Sequence, residues 1–162
     1  LEYHAATFIV YWSAYAILAI IGSFLLVRRQ ALKDSEPFWS PPTRRIAQAL
    51  LPPLFIGAFL NSLTAYVTRK VGADEVPNML VPVWLFLYGC AAHSAGFFMT
   101  RGMKLFGWVF ILAGSALVAM SVTESDSFFR ISPSLLMAAT FGGLHLAYGI
   151  YLYLTEKGKN AA

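Results

Sequence analysis

Residues 6–27 read ATFIVYWSAYAILAIIGSFLLV, 22 residues without a charge, closed by Arg28 and Arg29. At about 1.5 Å of rise per residue this stretch makes a helix that matches a hydrocarbon core about 30 Å thick. Stretches of the same kind recur at 46–67, 79–100, 105–123 and 132–154. All twelve Lys and Arg and all eight Asp and Glu fall outside them. Inside a bilayer the backbone must satisfy its own hydrogen bonds, and an uncharged run of this length does so as a helix. The expected fold is therefore all-α: one five-transmembrane-helix bundle occupying 1–162, with connections too short for a separate soluble domain. A hydrophobic content of 58% agrees with that class. Uncharged spans also exclude chemistry that needs an intramembrane charge, such as carboxylate proton relays, arginine voltage sensors and lysine Schiff bases.

The net charge of +4 is unevenly placed. Arg28, Arg29, Lys33, Arg44, Arg45, Arg101, Lys104, Lys157 and Lys159 fall on one set of alternate connections, and only Arg69, Lys70 and Arg130 on the other. The positive-inside rule then puts the N-terminus outside and the C-terminus in the cytoplasm. The basic excess orients the chain and meets anionic lipid headgroups, so nucleic acid is not an expected partner. Cys90, the single cysteine, lies in the third span and allows no intramolecular disulfide. The first span lacks a basic leading region and a small-residue cleavage pattern, so it reads as a retained helix.

Tyr11, Trp12 and Tyr15 near the start of that span fit an interfacial aromatic belt. The first connection, RRQALKDSEPFWSPPTRR, is less generic. Pro37 stops the first helix, and Ser40 before Pro41-Pro42 is a start signal for the second. Phe38 and Trp39 are expected at headgroup level, with Arg28, Arg29, Arg44 and Arg45 facing lipid phosphates. A docking surface for a cytoplasmic partner is the alternative reading of this loop. In the second span Pro52-Pro53 is expected to bend or break the helix. Asn61, Thr64 and Thr68 recur at helical spacing and make a polar stripe, a common adhesive between membrane helices. The connection Arg101-Gly102-Met103-Lys104 implies an antiparallel hairpin of the third and fourth helices. ESDSFFRISPS reads as a loop, with Ser132-Pro133 starting the fifth helix.

His93 and His145 are the only histidines inside the spans. Counted from the span centres they lie at similar depth, which would suit two axial ligands of one haem b iron. Gly142, Gly143 and Gly149 would leave room for the macrocycle, and Arg101 and Lys104 would face its propionates. The competing reading is hydrogen bonding across helices, the ordinary use of a neutral intramembrane histidine. A pocket for a quinone, lipid or other small molecule is a further option. His4 could serve only a peripheral role. No phosphate loop, paired-cysteine motif or H-E-x-x-H occurs, and neither catalytic residues nor a metal site are expected.

The segment Phe141-Gly142-Gly143-Leu144-His145-Leu146-Ala147-Tyr148-Gly149, with Leu87-Tyr88-Gly89 in the third span, resembles small bacterial polytopic membrane proteins. These have a Phe-Gly-x-x-His-x-x-Tyr-Gly-like last helix. The resemblance implies a multi-pass protein of a bacterial inner (plasma) membrane, with His145, Tyr148 and Gly149 packed together, and it carries no activity. The expected function is that of a non-enzymatic subunit, sensor or scaffold of a membrane complex, partnered by another membrane protein or by copies of itself. A haem-b electron-transfer subunit using His93 and His145 is the alternative. A small-solute or lipid transporter using the proline pair and the Asn61 stripe is the second.

Overall fold

The computed structural model describes residues 5–33, 35, 37–71, 76–99 and 101–159. His4 and the loop residues Gly72, Asp74 and Glu75 lie outside them. The described chain is all-helical. Helix α1 spans Ala5–Lys33, α2 Pro41–Val71, α3 Val76–Ala95 and α4 Arg101–Thr123. A short α5 (Ser125–Arg130) precedes α6 (Pro133–Met137), a π-helical turn (Ala138–Gly142) and α7 (Gly143–Lys159). Among the described residues four segments are long and apolar enough to cross a membrane: Ala6–Lys33, Pro41–Lys70, Gly102–Thr123 and Pro133–Thr155. Helix α3, the third expected span, is outside that group. It has 20 residues and carries Asn78, Pro82 and His93.

Two helix starts fall where the sequence implies, although the Ser132 side chain makes no capping bond. Helix α2 begins at Pro41, with Ser40 and Thr43 hydroxyls 3.0 Å apart across its first turn. The last helical run begins at Pro133, where the Ser132 carbonyl accepts from the Leu135 and Leu136 amides. Pro52 and Pro53 do not break α2, which continues through both. Because proline has no N–H, the carbonyls of Gln48 and Ala49 lose their helical donors. The third span differs from its expected limits. Helix α3 ends at Ala95 and the chain turns over 96–99, where Phe97, Phe98 and Met99 extend the apolar run without extending the helix. Arg101 and Lys104 consequently belong to the first turn of α4 rather than to the connection.

Helix α3 is the hub, packed against α2 on one side and α4 on the other. Glycines bring α3 and α4 together. A methyl group on Gly89 would stand 2.8 Å from the Gly107 carbonyl oxygen, and one on Gly107 would stand 2.5 Å from the His93 nitrogen. Gly96 similarly abuts Lys104, and Gly114 abuts Leu85 and Pro82. Gly107 and Gly114 are seven residues apart, which keeps them on one face of α4, while Gly89 lies within α3 and Gly96 just past its end. The pairings run in opposite chain directions, as the hairpin requires. Close backbone approach of this kind is how membrane helices gain packing energy when lipid tails are as apolar as leucine.

The core grows around this seam. Leu80, Val81 and Leu85 of α3 and Phe106, Phe110 and Leu117 of α4 are buried with Phe8 and Ile9 of α1, Phe128 of α5 and Met137 of α6. Polar groups join the outer helices to the hub. Trp84 Nε1–H donates to Asn61 Oδ1 at 3.0 Å, while Asn61 Nδ2 donates to Ser13 Oγ at 3.1 Å. Three helices are thus tied through one amide. Replacing it by Asn61→Leu removes both bonds, and we expect a loss of about 1 kcal/mol, at about 0.6 per intramembrane bond. Unfolding in mixed detergent micelles measures it, and Trp84→Phe in the same background should then add almost nothing.

Candidate functional site

The polar chemistry within the spans concentrates where the last helical run crosses α3 and α4. Two side chains bond back to main-chain carbonyls around the π-helical turn Ala138–Gly142. Thr140 Oγ1 donates to the Leu136 carbonyl at 2.6 Å, and His145 Nδ1 lies 2.7 Å from the Phe141 carbonyl. A carbonyl only accepts, so the proton sits on Nδ1 and Nε2 of His145 is an acceptor. The Tyr88 hydroxyl, 2.8 Å from Nε2, donates to it. One imidazole therefore links the π turn to α3 with both ring nitrogens engaged.

Aromatic rings enclose this pair. Phe106 and Phe110 meet the His145 ring edge-on or nearly so, at 5.2 and 5.5 Å, and Phe141 stacks at 6.3 Å. Tyr148 stacks on Phe106 at 4.3 Å, which brings the His145–Tyr148 part of the last-helix motif onto α4. His145 itself remains exposed at the edge of the bundle. An imidazole facing the lipid side of a bundle is costly unless its nitrogens are satisfied, and here they are.

His93 has a different setting. It lies two residues before the end of α3, with Nδ1 3.4 Å from the Lys104 carbonyl. Its ring meets Phe97 at 5.5 Å and Trp108 at 5.7 Å. His145 is level with Tyr88, five residues earlier on α3, so the two histidines are offset by about 7 Å along the bundle. Among the described residues no ring contact or hydrogen bond joins them. Binding one iron would require His145 to surrender Tyr88 or Phe141 and the two rings to converge. Gly142, Gly143 and Gly149, expected to make room for a macrocycle, border open space: nothing lies within 4 Å of a methyl group built on any of them. Among the described residues no group of three or more His, Cys, Asp or Glu side chains could hold a metal ion.

The other expected site residues divide in the same way. Asn61 faces Ser13 and Trp84, Thr64 is half-buried on the same stripe, and the buried Thr68 hydroxyl has no partner among the described residues. Phe38 packs edge-on against Phe24 of α1 at 5.0 Å, so the first connection folds back onto the bundle end. Trp39, Arg44 and Arg45 are exposed there, with Arg28 and Arg29 exposed on α1. Sequence reasoning did not single out Tyr88 as the partner of His145, nor Asn78. Asn78 is buried at the start of α3 and donates to the carbonyls of Phe128 and Ile131 at 3.3 and 2.9 Å. An asparagine among apolar neighbours at a helix start was the available signal.

A double-mutant cycle with Tyr88→Phe and His145→Ala tests the central pair. We expect a coupling of about 0.6 kcal/mol, and no more than about 1.7, read from unfolding in micelles. No family model, no curated protein and no solved structure matches this chain.

Proposed function

We propose that the chain crosses a bacterial inner membrane five times, with its N-terminus outside and its C-terminus in the cytoplasm. In this reading it works as a subunit, sensor or scaffold of a membrane complex rather than as an enzyme. The observation that carries it is how the intramembrane polar groups are used. Asn61, Ser13 and Trp84 hold one another, as do Tyr88, His145 and the Phe141 carbonyl. Trp12 Nε1–H donates to Ser134 Oγ at 3.2 Å. These groups join helices to one another, the role expected of a bundle that presents a surface. The surface is extensive: only 6% of the apolar window of α1, 6% of that of α2 and 11% of that of the last run are buried. Lipid and a membrane-protein partner, or a second copy, share it.

Helix α3 reaches about 30 Å with its 20 residues, enough for the fifth crossing. The split of basic residues supports the orientation. Both are tested with Cys90→Ala as background and single cysteines introduced at Ser35 and Ser127. An impermeant thiol reagent applied to intact cells should label the Ser127 position and spare the Ser35 position, and the reverse pattern would invert the topology. Mild solubilisation followed by native electrophoresis should give a species larger than one chain. A particle of a single chain in every mild detergent would defeat the complex reading. The visible spectrum separates this function from haem binding. We expect a colourless purified protein, and a Soret band that disappears in His145→Ala would replace the scaffold by an electron carrier.

A further inference from the structure

We propose that a phosphate-bearing anionic phospholipid binds at the turn between α3 and α4, held jointly by Lys104 and Arg45. The inference rests on the membrane-crossing reading above and adds a discrete ligand site to it.

Two cations at this end are placed differently from the rest. The Lys104 ammonium lies 3.8 Å from the centre of the Phe97 ring, and the Arg45 guanidinium lies 5.6 Å from that of Phe98. The two rings are neighbours on the turn, while the cations come from the first turns of α4 and α2. Cations from two helices therefore converge on one short segment. Among the described residues neither has an ion-pair partner. A ring occupies one side of each cation and leaves its remaining N–H donors for an anion.

The lysine is also anchored. Gly96 stands against its backbone, and its carbonyl meets Nδ1 of His93, whose ring edges against Phe97. Little conformational freedom at the root of the side chain remains to be lost on binding. Phe97 and Phe98 are 63% and 43% exposed, so the cations sit on an apolar floor open to the outside. A phosphate diester can bridge the ammonium and the guanidinium through separate oxygens. Its glycerol and acyl chains would then lie along the phenylalanines. Free phosphate offers the same oxygens but nothing to cover the rings, which is why a lipid is the favoured ligand.

The test uses the full chain in a neutral detergent. Native mass spectrometry with phosphatidylglycerol should show one retained lipid, and phosphatidylcholine at equal concentration should not. Retention should fall about thirtyfold in K104Q/R45Q, at about 1 kcal/mol per basic residue near a phosphate. It should change less than twofold in Arg29→Gln, which removes a cation from the same end. Phe97→Leu keeps both charges and should still weaken retention. Helical content by circular dichroism establishes that each variant is folded. An equal loss in Arg29→Gln would reduce the effect to diffuse charge and overturn the site. Competition by inorganic phosphate at the lipid's own concentration would make it a free-anion site, and no retention at all would remove it. A carbonate wash separates the two levels. A chain released from membranes defeats the crossing reading and this inference with it, whereas a chain that resists the wash and ignores phosphatidylglycerol defeats the inference alone.

Discussion

Gly107→Leu should abolish the folded bundle. Even a single methyl group there meets the His93 nitrogen at 2.5 Å and the Gly89 carbonyl oxygen at 2.7 Å. Both are backbone atoms and cannot rotate away. The helices would have to part along their whole seam, taking Phe106, Phe110 and Leu85 out of register. Overpacking a core that can relax costs about 1–3 kcal/mol, and a rigid backbone contact lies at or above the upper end. We expect no folded species in mild detergent, seen as loss of a symmetric elution peak and of thermal cooperativity. Gly149→Ala is the matched control. Its methyl would meet nothing within 4 Å, and a glycine inside a helix gives up about 1 kcal/mol to alanine. That variant should be neutral or slightly more stable. Equal damage from the two substitutions would show that close approach is not what holds α3 to α4.

Asn78→Leu should be the second most damaging change. Its amide serves the carbonyls of Phe128 and Ile131, at the end of α5 and in the link to α6. Leucine has nearly the same bulk, so the loss is of donors rather than volume. The Phe128 carbonyl keeps the Ile131 amide at 3.1 Å, so the Ile131 carbonyl alone is left unmet, and we expect a loss of about 1–3 kcal/mol. The local consequence is more diagnostic than the global one. Phe128, fully buried beneath α5, would come free, and the 124–132 segment should become sensitive to protease while the spans stay protected. Uniform loss of protection would mean that Asn78 supports the whole bundle rather than this corner.

What could be read in the sequence followed from the strongest physical signals. Apolar length against bilayer thickness identified the helices, and Ser-Pro steps marked two of their starts. The end of α3 was missed, because Phe97-Phe98-Met99 is as apolar as a helix that continues; Gly96, directly after Ala95, was the available stop signal. The 124–131 segment looks like a loop by composition, yet burial of Phe128 makes part of it helical. The glycines were visible, but the wrong set drew attention. Gly142, Gly143 and Gly149 face open space, while Gly89 of α3 and the Gly107–Gly114 spacing in α4 carried the packing signal. The histidines looked level because spans were counted as uniform rods. Tertiary register pairs His145 with Tyr88 instead, beside a π turn that no local pattern announces.

The hub position of α3 bears on how the chain is made. This helix carries Asn78, Pro82 and His93 among otherwise apolar residues, and a bilayer penalises the amide and the imidazole. Its amide and imidazole are acceptable only where another helix answers them. If α3 crosses as proposed, it gains most by leaving the insertion machinery together with α4, their glycine contacts already joined, as a hairpin that hides its polar side. The joining contacts are close in sequence and quick to form. A lesion in the seam would then act first as an error of biogenesis, with α3 stranded at the membrane surface and the hydrophobic segments after it threaded in the opposite sense.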